Sequence, residues 1–311
     1  MREEAFVKTK AMVINMVSRK SPGYRLFNVL NVIFMGALGL ITLLPVVHII
    51  ALSFSDNAAV TANAVGLIPK GFNIEAYKYI FKDSQFFIST WISIKRVVLG
   101  TLLNLVLIVL TAYPLAQSDK VLKGRKIIAW YFVFTTLFGG GLIPTYLLIR
   151  DVHLLDNFLA LILPSALPVF SAIMLMNYIK GLPKDIFEAS MIDGAGHFTI
   201  ITKIVLPLSI PCLATLTLFS MVGYWNEWFS ATIYINDSGQ WPLQSLMRSL
   251  INQSKDIQKV IEAGNYEQAM KLSNKGLQAA QIVFSTLPIL VSYPFLQRYF
   301  VKGIVVGAVK G

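Results

Sequence analysis

Residue types that can do chemistry are sparse in this chain, and where they gather they suit recognition better than bond-making. The densest group is Tyr224-Trp225-Asn226-Glu227-Trp228. On a helix, Tyr224 and Trp228 share a face at i and i+4, as do Trp225 and Phe229. Aromatic faces beside an amide and a carboxylate are what a polyol needs for stacking and for its hydroxyls. Asn226 and Glu227 are expensive against hydrocarbon, so the sequence places them toward a bundle interior or a wet cavity. The competing reading is that the group is glue between helices and an interfacial aromatic belt. A second region, Phe138-Gly139-Gly140-Gly141-Leu142-Ile143-Pro144-Thr145-Tyr146, joins flexible glycines to a proline. Such a stretch can break a helix where it lines a cavity, which makes Tyr146 a further pathway candidate, or it can pack helices closely.

Catalytic and metal chemistry find little support. His48, His153 and His197 are far apart in sequence and make a poor metal site or proton relay, so no metal ligands are assigned. Cys212 is the single cysteine; it sits in an apolar stretch and reads as a small buried hydrophobe. No G-x-x-x-x-G-K-[ST] phosphate loop, G-x-S-x-G or H-E-x-x-H occurs, so the chain reads neither as an ATPase nor as a hydrolase. Candidate spans hold few ionisable groups, which opposes a self-sufficient secondary transporter. If the protein moves solute against a gradient, the energy comes from another polypeptide.

The elements that must position these residues are membrane helices. Of 311 residues, 55% are hydrophobic and 14% charged, well below the roughly 25% charged typical of soluble proteins. Six windows are apolar for about the 20 residues that a bilayer core demands: 28–52, 91–113, 127–148, 159–180, 208–233 and 279–299. The expected fold is an all-α integral membrane protein with six transmembrane helices. The first run is too long for a signal-peptide core and reads as a retained span. Six crossings put both ends on one side, where 16 of the 27 Lys and Arg residues would lie, so both termini are expected to be cytoplasmic. The net charge of +11 lies mostly in loops and tracks topology, not nucleic acid. Lys95 and Arg96 fall at the outer edge of the second window, where they are expected to snorkel to headgroups, a substrate contact being the alternative. Pro114, and Pro164 with Pro168, mark a span end and a kink.

Between the spans, residues 5–18 suit an interfacial helix, completing an N-terminal segment of 1–27 before the membrane domain of 28–300 and a tail of 301–311. The outer loop 53–90 carries a turn at Pro69-Lys70-Gly71 and the aromatic residues Tyr77, Tyr79, Phe81, Phe86 and Phe87, expected near the headgroups. The outer loop 235–278 is long and polar with a helical pattern in Asp256–Met270, and suits a partner-docking feature or a lid.

The inner loop 181–207 is the most informative. Pro183 and Asp185 favour a helix start, Ile186, Phe187, Ala189, Ser190 and Ile192 form a short helix, and Gly194 and Gly196 break it before a second helix toward Pro207. The order Glu188-Ala189-Ser190, Asp193-Gly194-Ala195, Leu206-Pro207 resembles the EAA loop of the permease subunits of binding-protein-dependent ABC importers. Ser190 departs from the family's second alanine, a small-for-small change. The runs Tyr293–Gly311 and Gly223–Ala231 resemble the carbohydrate-uptake branch, in particular its subgroup importing oligosaccharides from polysaccharides.

The resemblance implies a type I importer permease of the bacterial plasma (inner) membrane, itself not an enzyme and binding no cofactor. Its implied partners are a second homologous permease, two copies of an ABC ATPase carrying ATP and Mg, an extracellular or periplasmic solute-binding protein, and an oligosaccharide as cargo. It also implies a coupling helix docked in a groove of the ATPase, with Ile186, Phe187, Ala189, Ser190 and Met191 as contacts, Glu188 pairing with a cation, and Asp193 and Gly194 shaping the turn. A permease for a non-sugar solute is the alternative that keeps this loop.

Overall fold

A computed structural model describes residues 22–252 and 275–291, and the described residues are helical with no strand. The interfacial segment 5–18, the pattern in Asp256–Met270 and the run Tyr293–Gly311 lie outside them.

The chain opens with α1 (Pro22–Ser53), whose apolar stretch Leu26–Ser53 faces outward almost throughout. Two short helices follow, α2 (Asn57–Thr61) and α3 (Glu75–Lys82). The centre of the molecule is α4 (Ser84–Ala116). Its buried stripe recurs every three or four residues, through Ser89, Ser93, Arg96, Gly100, Asn104, Ile108 and Ala112. Small and polar residues dominate the first half of that stripe, which is how membrane helices bring backbones close when hydrophobicity alone gives no drive. At Gly100 an added Cβ would stand 2.5 Å from the Tyr224 ring, so only glycine admits the neighbouring helix.

Three further apolar stretches are each a pair of helices bent at a short break. α5 (Arg125–Leu137) and α6 (Leu142–Asp151) bend by 112° at the glycine run. The 3₁₀ turns Phe158–Leu161 and Leu163–Ser165 meet α7 (Val169–Lys180) at 46°, at Pro168. Past the inner-loop helix α8 (Lys184–Ile192), α9 (His197–Leu208) contains a π turn and meets α10 (Ile210–Asn226) at 81°. Then come α11 (Phe229–Tyr234), α12 (Leu243–Asn252) and α13 (Lys275–Val291). Among the described residues, α1 and α4 are long and apolar enough to cross a membrane unbroken, and the three bent pairs bring that number to as many as five; the expected sixth window, 279–299, runs from the shorter apolar helix α13 beyond the described residues.

Two buried clusters hold α10 on α4, and one of them holds α7 there as well. One, around Ile108, Ala112, Leu175, Val205 and Leu216, lies at the end near α8 and α9. The other, around Phe86, Val97, Tyr224, Trp225, Leu243 and Leu277, lies at the far end. Two loop expectations change here. Phe86 is 1% exposed and packs in the core. The first part of the 235–278 loop is also built into the body. The backbone N–H of Leu243 donates to Ser93 Oγ (2.7 Å), the Gln85 amide donates to Gly239 O (3.0 Å), and Leu243 and Met247 are buried.

Candidate translocation and coupling sites

The break after α10 is made by one carboxylate and one guanidinium. Glu227 ends α10 by donating its N–H to Gly223 O (3.1 Å), and its Oε1 accepts from the Ser230 N–H (2.8 Å), capping the first turn of α11. Its other oxygen pairs with Arg96 of α4. Arg96 also donates through Nη1 to Glu227 O (2.9 Å) and through Nε to Leu161 O (3.0 Å), and its guanidinium lies 5.7 Å from the Tyr224 ring. One fork therefore satisfies carbonyls left over at two helix breaks, which hydrocarbon would not tolerate unpaired. Arg96 is 1% exposed, so the snorkelling expected from its position is corrected: it turns into the bundle because its partner waits there.

A cavity of about 390 Å³ opens beside this pair, between α4, the 3₁₀ turns before α7, and α10. Its polar lining comes from Arg96, Asn104, Ser165, Ser171, Ser220, Tyr224, Glu227 and Ser230, with Pro164, Pro168 and Phe219 among the apolar residues. Asn104, its amide nitrogen turned to the carbonyls, donates to Ala166 O (2.9 Å), Ser165 O (3.2 Å) and Tyr224 Oη (3.0 Å), and accepts from Ser220 Oγ (3.3 Å). Tyr224 Oη donates in turn to Ile162 O (3.4 Å). The wall is thus a fixed network of hydroxyls, an amide and a paired carboxylate and guanidinium.

Tyr224 and Glu227 both line this cavity. Trp225 packs in the core and donates its indole N–H to Ser285 O (3.1 Å). The expected helical pairings of Tyr224 with Trp228 and of Trp225 with Phe229 are corrected, because α10 stops at Asn226. Asn226 and Trp228 line a separate cavity against α12 and α13. Tyr146 stacks on Tyr234, with ring centroids 6.5 Å apart, in a small cluster with Ile149, outside both cavities. Arg96, Asn104, Gly100, Ser165 and Ser220 were missed as site residues. The four-residue repeat of small and polar residues in the second apolar window was the signal that could have found some of them.

At the opposite end, α8 shows two faces. Phe187 and Ser190 turn inward, Phe187 packing against the lower core and receiving Ser190 Oγ on its carbonyl (2.8 Å). Ile186, Glu188, Ala189, Met191 and Ile192 are exposed. The helix closes in a Schellman motif, with Ala195 N–H donating to Ser190 O (2.9 Å) and Gly194 at φ +76°. Asp193 is the cap. α9 is tied back to α4 by the contact between Tyr113 Oη and His197 Nδ1 (2.8 Å). Nearby, in the loop after α4, Arg125 binds Asp119 (3.0 Å) and holds its carboxyl below the usual carboxylate range.

Residues 11–306 match the model of the binding-protein-dependent transport system inner membrane component. The chain belongs to that family. Such a component is the permease subunit of an ABC importer, and ATP hydrolysis belongs to a separate ATPase. Protein LplC of Bacillus subtilis is 42% identical over 287 residues, covering 92% of this chain and 96% of the relative. The polygalacturonan/rhamnogalacturonan transport system permease protein YtcP of the same organism is 40% identical, covering 92% and 99%. A crystal structure of a bacterial ABC transporter involved in the import of the acidic polysaccharide alginate contains a chain with a TM-score of 0.82 and 30% identity, covering 90% of this chain and 98% of that one. The permease fold is therefore shared over nearly the whole length.

Proposed function

We propose that this permease forms half of the translocation pathway of an ATP-driven importer for oligosaccharides derived from polysaccharide, in a bacterial plasma membrane. The observation that carries the reading is near full-length similarity to a permease named for polygalacturonan and rhamnogalacturonan and to one from an alginate importer. The cavity beside Tyr224 and Glu227 supports it, because hydroxyls and a carboxylate held by a rigid network suit a polyol more than an apolar solute. In this reading the chain crosses six times with both termini cytoplasmic. The bare face of α1 meets lipid and the second permease. α8 docks on one of two ATPase copies through Ile186, Glu188, Ala189 and Met191, with ATP and Mg held by the ATPase. A solute-binding protein delivers cargo to the face at which α10 breaks.

Purifying the protein with a C-terminal tag from its own membranes tests this directly. Mass spectrometry should find an ATPase, a second permease and a solute-binding protein, and that binding protein should take up oligosaccharides in a ligand screen. A binding protein selective for a non-sugar solute overturns the carbohydrate reading. Recovery of the chain without an ATPase under crosslinking overturns the coupling assignment.

A further inference from the structure

We propose that the cavity between Trp228, α12 and α13 is a subsite for a carboxylate-bearing sugar residue, with Arg248 as its anion receptor; the proposal rests on the carbohydrate reading. The cavity holds about 330 Å³ and includes Asn226, Trp228, Gln244, Arg248, Ser285 and Thr286 in its wall. That volume is at the small end of ligand sites and suits one or two pyranose rings. The guanidinium of Arg248 lies 5.1 Å from the Trp228 ring, and none of the lining residues is acidic. Stacking on the indole holds the guanidinium plane while its edge keeps N–H donors for a two-pronged bond to a carboxylate. Trp228 is 38% exposed, leaving indole surface for the C–H face of a sugar, and Asn226 and Gln244 offer amides for hydroxyls.

The scaffold around the pair is fixed. Ser245 Oγ donates to Trp228 O (2.7 Å), fastening α12 to the chain break, and Trp225 Nε1 fastens α13 through Ser285 O (3.1 Å). The contrast with the other cavity is chemical. There, Arg96 also lines the space, but it is buried and its charge is met by Glu227, so the pair presents no free cation to an anionic sugar. Here the cation is exposed and faces neutral amides. Of the two, only the Arg248 cavity distinguishes an acidic sugar from a neutral one by attraction.

The test uses the assembled importer in nanodiscs without its binding protein, titrated with trigalacturonate and with the same trisaccharide carboxyl-reduced to neutral galactose units. Trigalacturonate should bind about tenfold more tightly, the factor that one charge-assisted interaction near 1.4 kcal/mol gives. Arg248→Gln should erase the preference, while Arg150→Gln, at a cation paired with Asp151 (2.9 Å) outside this cavity, should leave it intact. Equal affinity of the wild type for the two sugars, or a preference that survives Arg248→Gln, overturns the subsite and leaves the carbohydrate reading standing; Arg248 is then an interfacial anchor. Binding of neither sugar overturns both.

Discussion

Arg96 shows how much one side chain can hold in a membrane protein. Its fork reaches Glu227 twice and Leu161 once, and it lies against Tyr224. Arg96→Met should lower the stability of the assembled importer by roughly 3–5 kcal/mol, because the Glu227 charge stays behind unpaired. Thermal unfolding in detergent reads this loss. Replacing both partners with methionine should recover much of it, and Arg96→Lys should recover little, since an ammonium cannot serve three acceptors in the same directions. Gly100→Ala sets a Cβ against the Tyr224 ring and should cost roughly 1–3 kcal/mol, with Tyr224→Leu in the same chain relieving part of it. Residue type alone made Glu227 legible as an inward-facing group, whereas Arg96 was misread. Its distance from the middle of the apolar window is what a snorkelling residue would show, and its partner is 131 positions away in sequence.

At the scale of elements, the apolar windows were legible and their breaks only partly so. The glycine run before Leu142 and the prolines at 164 and 168 announced two bends. The end of α10 carried no such mark: Glu227 and Trp228 are ordinary helix residues, and tertiary pairing with Arg96 overrides their propensity. The inner loop was the most readable element, since its helix, glycine turn and second helix depend on local chemistry. Phe187 was the exception there, packing inward although its type suited a docking face. Glu188→Lys should leave the permease inserted but weaken ATPase docking or uncouple hydrolysis from uptake. Gly194→Val forces a β-branched residue to φ +76°, costing roughly 1–3 kcal/mol locally and displacing α8. Copurified ATPase and transport per ATP hydrolysed are the measurements, and wild-type values in both variants would overturn the coupling role.

For the whole molecule, α4 sets the two faces. Its first turn meets Ser238–Gln240, and its last turn meets Arg125 and His197. With Cys212 replaced by serine, a cysteine at Asn236 should react with a membrane-impermeant thiol reagent on intact cells, and one at Lys120 should react only after permeabilisation. The reverse pattern would invert the proposed topology. The same helix carries a consequence for how the protein is made. Arg96 enters the membrane long before Glu227 has been synthesised, and at about 5–20 residues per second the wait for the intervening 131 residues is roughly 7–26 s. During that interval a lone cation sits in an apolar segment, at a cost of about 2.5–3.5 kcal/mol on insertion scales if it reaches the helix centre. The nascent chain must therefore be sheltered at the insertion machinery until α10 and Glu227 arrive. A ribosome stalled before residue 227 should leave α4 crosslinked to that machinery, and one stalled well after it should release the helix.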